Sequence, residues 1–157
     1  IWFGVIFLVT FAVEAIGVHS GKIFGIYQYS SILGPRLLGV PLIIGFNWAV
    51  VIYCSIRFAQ CLVKNKIGSS LLASGLTVAY DGVLEAVAFR LEYWYWQTGD
   101  VPIQNYLAWW LLSLFCILLY HLFKVQSDDR IPAFYYGIQF TYFLLLFISL
   151  RMLAFVF

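Results

Sequence analysis

Five long apolar runs divide the chain and limit what it is able to fold into. They cover residues 1 to about 18, Val40 to Leu62, Leu71 to Gln97, Asn105 to Leu122, and Ala133 to Phe157. A helix needs about 20 apolar residues to cross the hydrocarbon core of a bilayer, and each run is close to that length or above it. Short polar stretches that contain Gly or Pro separate the runs. The pattern predicts five transmembrane helices.

The composition argues against an ordinary soluble domain. Of the 157 residues, 64% are hydrophobic and only 10% are charged, whereas soluble domains carry about 25% charged residues. The alternative is a chain that is buried within a large complex. The net charge of +2 comes from scattered Lys and Arg side chains, so we predict no nucleic-acid partner. The composition favours an integral, multi-pass membrane protein whose surroundings are the lipid bilayer.

A β-barrel is the other architecture that crosses a membrane. Its strands would alternate apolar and polar residues over about ten positions, but these runs are continuously apolar and longer. We therefore predict an all-α fold, a polytopic transmembrane helix bundle. We expect a single transmembrane domain over residues 1–157. Because the chain starts and stops inside apolar runs, we also expect it to be a fragment that lacks one or more terminal helices.

Carboxyl groups interrupt this apolar background. Glu14 lies near the end of the first predicted helix, and Asp81, Glu85 and Glu92 lie in the third. At 100° per residue, the last three fall within about 40° of one another. Since successive helices alternate in direction, Glu14, Asp81 and Glu85 belong to the same half of the membrane. An acidic side chain at the bilayer centre costs about 2.5 to 3.5 kcal/mol, so we expect these residues to face a cavity or a partner.

Two interpretations of these carboxyl groups stay open. In the first, they only clamp Tyr, Trp or Asn side chains of neighbouring helices. In the second, at least one keeps its proton near neutral pH, because burial and nearby negative charge both oppose ionisation, and that species is a general acid. The gathering of Glu14, Asp81 and Glu85 in one half of the membrane favours the second interpretation. Glu92 is a weaker candidate because it lies near the interface.

The sequence contains no motif for a metal or an organic cofactor. Its three cysteines include no Cys-x-x-Cys pair, and its two histidines lie far apart. Neither a Rossmann glycine pattern nor a P-loop is present. We therefore predict that the chain uses no metal and no cofactor.

Two blocks of the sequence resemble the carotenoid biosynthesis protein family, which includes membrane carotenoid 1,2-hydratases of the γ-carotene 1′-hydroxylase and bisanhydrobacterioruberin hydratase types. The first block runs from Glu14 to Trp48 and reads EAIGVHSGKIFGIYQYSSILGPRLLGVPLIIGFNW. It has the family's Glu, spaced glycines, Tyr-x-Tyr, Leu-Gly-Pro, Gly-Val-Pro-Leu and Trp. The second block has the family's acidic pair, Trp-x-Trp, Pro, Asn and Trp at Asp81, Glu85, Trp94, Trp96, Pro102, Asn105 and Trp109.

The resemblance implies a cofactor-independent lyase of carotenoid biosynthesis. Such an enzyme adds water to the terminal double bond of an acyclic carotenoid end group and gives a tertiary alcohol. The catalytic residues would be Asp81, Glu85 and Glu14. Five further residues would bind the substrate or orient water or a carboxylate: Tyr29, Asn47, Trp48, Trp94 and Asn105. The resemblance also implies a carotenoid substrate, a bacterial or archaeal cell membrane, and possible contacts with other carotenoid-pathway enzymes.

Other functions would use the same groups. A carotenoid end-group cyclase needs the same acid and the same cation but excludes water. A small proton-coupled membrane transporter also keeps carboxyl groups inside the membrane. A purely structural subunit would lose only stability when the carboxyl groups are replaced. The mass of the product and a measurement of proton flux separate these alternatives from hydration.

Overall fold

The structure is a computed structural model that describes residues 1–156. Five helices make up most of it: α1 Trp2–Ser20, α2 Leu42–Leu62, α3 Lys66–Ala88, α4 Ile103–Leu122 and α5 Ile131–Val156. All five are long and apolar enough to cross a membrane. The predicted all-α helix bundle is confirmed. Phe157, the predicted end of the fifth helix, lies outside the described residues.

Local sequence explains where several helices begin and end. α1 ends at Gly21, which has a φ of 63°, a left-handed conformation that glycine adopts without a steric penalty. α3 begins after Asn65, whose side chain accepts a hydrogen bond of 2.6 Å from the backbone N–H of Gly68. α2 and α4 follow Pro41 and Pro102, which have no backbone N–H to leave unsatisfied at a helix start.

The first four helices form a ring. α1 packs on α2, α2 on α3 and α3 on α4, while a smaller contact between α1 and α4 closes the ring. α5 packs on α2 and α3. α2 and α3 are therefore the central helices of the bundle.

Short strands lie in the two connections at one end of the bundle: β1 Tyr27–Tyr29, β2 Arg36–Leu37, β3 Val40–Pro41 and β4 Trp94–Trp96. β2 and β3 pair with each other just before α2 begins. β1, from the connection between α1 and α2, pairs antiparallel with β4, from the connection between α3 and α4. This pairing, which we call the aromatic ribbon, places both connections at the same end, as alternating helices require.

The predicted third helix, Leu71 to Gln97, is wrong at both ends. α3 begins earlier, at Lys66, and ends at Ala88, after which the chain turns back to form β4. Glu92 lies in this turn with a φ of 55° and is exposed, so it does not share a helical stripe with the buried carboxyl groups. The error has a physical cause: apolar and aromatic residues continue past Ala88, and an unbroken apolar run does not distinguish a buried strand from a helix.

Candidate active site

Two helices carry three buried carboxyl groups into the same part of the bundle. Asp81 and Glu85 lie on α3 and are 1% and 8% exposed, while Glu14 on α1 is 3% exposed. A spacing of four residues puts Asp81 and Glu85 one turn apart on the same helical face. That face turns inward, toward α1, α2 and α4. All three side chains therefore lie in the interior of the bundle.

Glu14 accepts three hydrogen bonds from aromatic side chains. The hydroxyls of Tyr27 and Tyr29 donate to its Oε2 over 2.5 Å and 2.9 Å, and the indole N–H of Trp48 donates to its Oε1 over 2.8 Å. Burial, followed by the charge of the neighbouring Glu14, raises the pKa of both tyrosine hydroxyls. Both therefore keep their protons and remain donors. Glu14 is fixed in place as an acceptor.

Glu85 and Asp81 have fewer donors than Glu14. The indole N–H groups of Trp94 and Trp96 both donate to Oε2 of Glu85 over 2.9 Å. Asp81 receives one hydrogen bond of 2.8 Å, from the side-chain amide of Asn105 to its Oδ2. These donors come from β4 of the aromatic ribbon and from the start of α4, so two separate elements orient the acidic pair.

All the donors that orient the three carboxyl groups are neutral. Tyrosine hydroxyls, indole N–H groups and an amide stabilise a carboxylate by hydrogen bonding, but they supply no positive charge to neutralise it. Three carboxylates ionised together would repel one another in a setting of low dielectric constant. The arrangement therefore suits a site in which some of the three carboxyl groups are protonated while others are ionised.

The eight residues that the sequence analysis selected line one cavity of about 200 Å³. They are Glu14, Tyr29, Asn47, Trp48, Asp81, Glu85, Trp94 and Asn105. We call this space the carboxylate cavity. Most of its remaining lining is apolar or aromatic, so an apolar ligand in it would meet the carboxyl groups directly. The eight residues selected from the sequence thus lie together around one cavity, while the role of each residue remains a proposal.

Aromatic rings line much of the cavity. Trp48 stacks on Trp109 with an angle of 13° between the ring planes, and Tyr27 lies against Trp96 with ring centroids 4.9 Å apart. The negative faces of such rings attract a nearby positive charge. Together with the carboxyl groups, they make this cavity suited to a cationic intermediate.

The sequence analysis missed several lining residues. Tyr27 and Trp96 were not selected, although each alternates with a selected residue in a Tyr-x-Tyr or Trp-x-Trp pattern that places both side chains on one face of a strand. That alternation was a signal, but the Trp pair was interpreted as part of a helix. Gln139 and Phe143 of α5 also line the cavity, and no sequence signal marked them, because α5 contains no charged residue near them.

Within residues 1–156, no three His, Cys, Asp or Glu side chains come close enough together to hold a metal ion. The groups that this cavity offers a ligand are carboxyl, amide, hydroxyl and indole groups.

Comparison with known proteins identifies the family. Residues 1–157 match the family described as carotenoid biosynthesis protein. The chain belongs to the carotenoid biosynthesis protein family. Over 121 residues, or 72% of the chain, it is 30% identical to the bisanhydrobacterioruberin hydratase of Haloarcula japonica. That alignment spans 41% of the relative's length. No solved structure matches the chain.

The two sequence blocks that resemble the carotenoid biosynthesis protein family supply most of the cavity lining. The block from Glu14 to Trp48 supplies one carboxyl group and its three donors. The block from Asp81 to Trp109 supplies the other two carboxyl groups and all their donors. In this family member, the carboxyl groups and donors that carry part of the resemblance therefore lie around one cavity.

Proposed function

We propose that this carotenoid biosynthesis protein is a hydratase that adds water to the terminal double bond of an acyclic carotenoid end group. The observation that carries the proposal is the cavity in which three buried carboxyl groups and stacked aromatic rings face one apolar space. The hydratase name of the relative from Haloarcula japonica points the same way. We further propose that the five helices span the cell membrane of a bacterium or archaeon, where a carotenoid would dissolve.

Asp81 is the acid in this proposal. It has one hydrogen-bond donor, whereas Glu85 has two and Glu14 has three. Each donor stabilises the ionised form of a carboxyl group. Of the three groups, Asp81 is therefore the one whose ionised form is stabilised least. A protonated Asp81 gives its proton to the less substituted carbon of the double bond and becomes a carboxylate. The π electron pair forms the new C–H bond, and the other carbon becomes a tertiary carbocation.

Water completes the reaction. The ring faces of Trp48 and Trp109 and the ionised Glu14 stabilise the carbocation. A lone pair of the water oxygen forms the C–O bond, and Glu85 takes the proton that the oxygen then loses. The product is a tertiary alcohol, and one proton passes from Glu85 back to Asp81 through water to restore the starting state. No oxidant or reductant is needed, so we propose a lyase that uses no cofactor.

The polar lining favours hydration over cyclisation. A cyclase would have to keep water away from the same cation, yet Asn47, Asn105 and Gln139 place three amide groups around this cavity. Amide groups both donate and accept hydrogen bonds and are suited to holding a water molecule.

Expression in cells that make lycopene tests the proposal. Hydration gives a pigment heavier by one water molecule, whereas cyclisation leaves the mass unchanged. A proton-coupled transporter leaves the pigment unaltered but conducts protons in vesicles. Unaltered pigment at normal protein levels would overturn the proposed function.

A further inference from the structure

We infer that the carboxylate cavity opens sideways between the first half of α2 and α5, and that the polyene tail of the substrate leaves through this opening into the bilayer. We call the opening the lateral portal; it is formed by Leu33, Ile43, Asn47, Gln139 and Phe143, all of which line the cavity. This inference rests on the proposed function, because the end group of the same acyclic carotenoid would occupy the cavity.

The walls of the cavity differ sharply in exposure. Glu14 is 3% exposed, Asp81 is 1% exposed and Asn105 is 2% exposed, so the walls that α1, α3 and α4 contribute are closed. Ile43 lines the same cavity but is 47% exposed. Leu33, Asn47, Gln139 and Phe143 are partly exposed as well. Tyr29, Tyr93 and Trp96, which line the cavity from the connections, are partly exposed too. Among the lining residues that lie on the five helices, those that are exposed all belong to α2 and α5, so the helical wall is accessible between these two helices.

Contacts between α2 and α5 hold the two helices together at the opposite end. The rings of Phe58 and Tyr136 lie 5.2 Å apart, and the guanidinium of Arg57 donates to the backbone carbonyl of Asp129 over 3.1 Å. Ile43 precedes Phe58 by 15 positions on α2, which corresponds to roughly 22 Å along a helix. On α2 the anchoring contact thus lies far from Ile43, whereas on α5 Tyr136 lies one turn before Gln139.

The size of the cavity requires such an opening. A volume of about 200 Å³ is only slightly larger than an engineered cavity of about 150 Å³ that binds benzene. Pockets that enclose a whole drug-sized ligand measure about 300 to 1,000 Å³. The cavity therefore has room for the end of an isoprenoid chain and a water molecule, and a long polyene must extend beyond it.

The chemistry of the portal fits a neutral hydrocarbon. Three of its five residues are apolar, two are amides and none is charged. A polyene that passes Ile43, which is 47% exposed, and continues into the bilayer never has to cross water, so its exit costs no hydrophobic free energy.

Reversible labelling of a cysteine at the portal tests this inference, because the blocked and the unblocked portal are compared in the same folded protein. In a Cys61→Ser background, which removes the exposed native thiol, the variant Ile43→Cys is treated with a bulky aromatic methanethiosulfonate. The reagent forms a mixed disulfide that a reducing thiol later removes. Phe46→Cys is the matched control: it lies on the same helix with similar exposure, but it packs beside Phe3 of α1 and does not line the cavity.

Conversion of lycopene is measured before labelling, after labelling and after reduction. We expect labelling of Ile43→Cys to lower the rate at least about tenfold and reduction to restore it, while labelled Phe46→Cys keeps its rate. Restoration by reduction excludes misfolding as the cause. A labelled Ile43→Cys protein that keeps its full rate would overturn the portal.

A second measurement separates this inference from the proposed function. Lycopene incorporated into the membrane should slow labelling of the Ile43→Cys thiol and leave labelling of the Phe46→Cys thiol unchanged, whether or not the pigment is converted. If the unsubstituted protein does not hydrate lycopene, the proposed function fails, and protection at Ile43→Cys still supports the portal. Equal labelling rates of the Ile43→Cys thiol with and without lycopene would overturn the lateral portal.

Discussion

Hydrogen bonding distinguishes the three buried carboxyl groups at the scale of single residues. Glu14 is surrounded by three donors, and Asp81 has a single amide partner. A carboxyl group that is surrounded by donors is suited to carry a constant negative charge, and one that has few donors is suited to hold and release a proton. The assignment of Asp81 as the acid follows from this difference.

The variant Asp81→Asn tests that assignment. It keeps the shape of the side chain but removes the transferable proton, and general acids contribute about 10² to 10⁴ to a rate. We expect hydration to fall at least about a hundredfold with unchanged protein levels, as measured by pigment mass analysis. The control is Glu92→Gln, which alters an exposed carboxyl group in a turn and should leave the rate unchanged. Normal hydration by Asp81→Asn would refute the acid role.

In the proposed mechanism Trp96 is a positioning residue, because it would act through Glu85. The variant Trp96→Phe keeps an aromatic ring but removes one of the two indole donors to Oε2 of Glu85. A hydrogen bond to a charged group contributes about 1.5 to 3 kcal/mol, so we expect kcat to fall about tenfold or more with little change in KM. A rise in KM at constant kcat would instead indicate that Trp96 contacts the substrate.

At the scale of elements, the aromatic ribbon assembles the site. It joins β1 to β4, which are separated in sequence by α2 and α3, and its side chains supply two donors to Glu14 and two to Glu85. Cross-strand aromatic pairs, such as Tyr27 with Trp96, stabilise such a pairing. Displacing the ribbon should therefore disturb both carboxyl groups at once.

Gly25 gives a way to displace the ribbon. Its φ is +113°, and an added Cβ atom would lie 2.7 Å from Pro102 and 3.2 Å from Trp96. We expect Gly25→Ala to lower the melting temperature in detergent and to reduce hydration. Gly99→Ala is the control, since Gly99 has a φ of +80° but no atom within 4 Å of the added Cβ. If both variants lose the same stability and activity, the contact with the ribbon is unimportant.

The ribbon is also the element that the sequence does not predict. The positions of Glu14, Asp81 and Glu85 could be recognised because carboxyl groups are rare in apolar runs. In the segment from Phe89 to Trp96, the Trp-x-Trp alternation is a signal for a strand, but the aromatic residues fit a membrane helix equally well. Only the pairing with Tyr27–Tyr29 distinguishes the two, and a pairing between distant segments is not encoded in local periodicity.

At the scale of the whole molecule, the order of helices was predictable and the position of α5 was not. Five apolar runs give five helices, and their alternation puts the first and third connections at one end. That α5 contributes Gln139 and Phe143 to the cavity depends on its packing against α2 and α3. Its apolar residues would suit a position facing lipid equally well.

The proposed membrane arrangement is tested by determining on which face of the membrane each connection lies. In a Cys61→Ser background, single cysteines replace Lys22 and Thr98 in the first and third connections, or Lys64 and Ser127 in the second and fourth. In sealed vesicles, we expect an impermeant thiol reagent to label the first pair from one face and the second pair from the other. Labelling of Lys22→Cys and Thr98→Cys from opposite faces would contradict the bundle, because β1 and β4 pair at one end.

The most direct test of hydration is the origin of the oxygen in the product. Membranes that contain the protein and lycopene are incubated in water labelled with heavy oxygen, and the pigment is analysed by mass spectrometry. Acid-catalysed addition predicts a product heavier by one whole molecule of labelled water, and no such product with Asp81→Asn. A pigment of unchanged mass, or one whose new oxygen carries no label from the water, would contradict it.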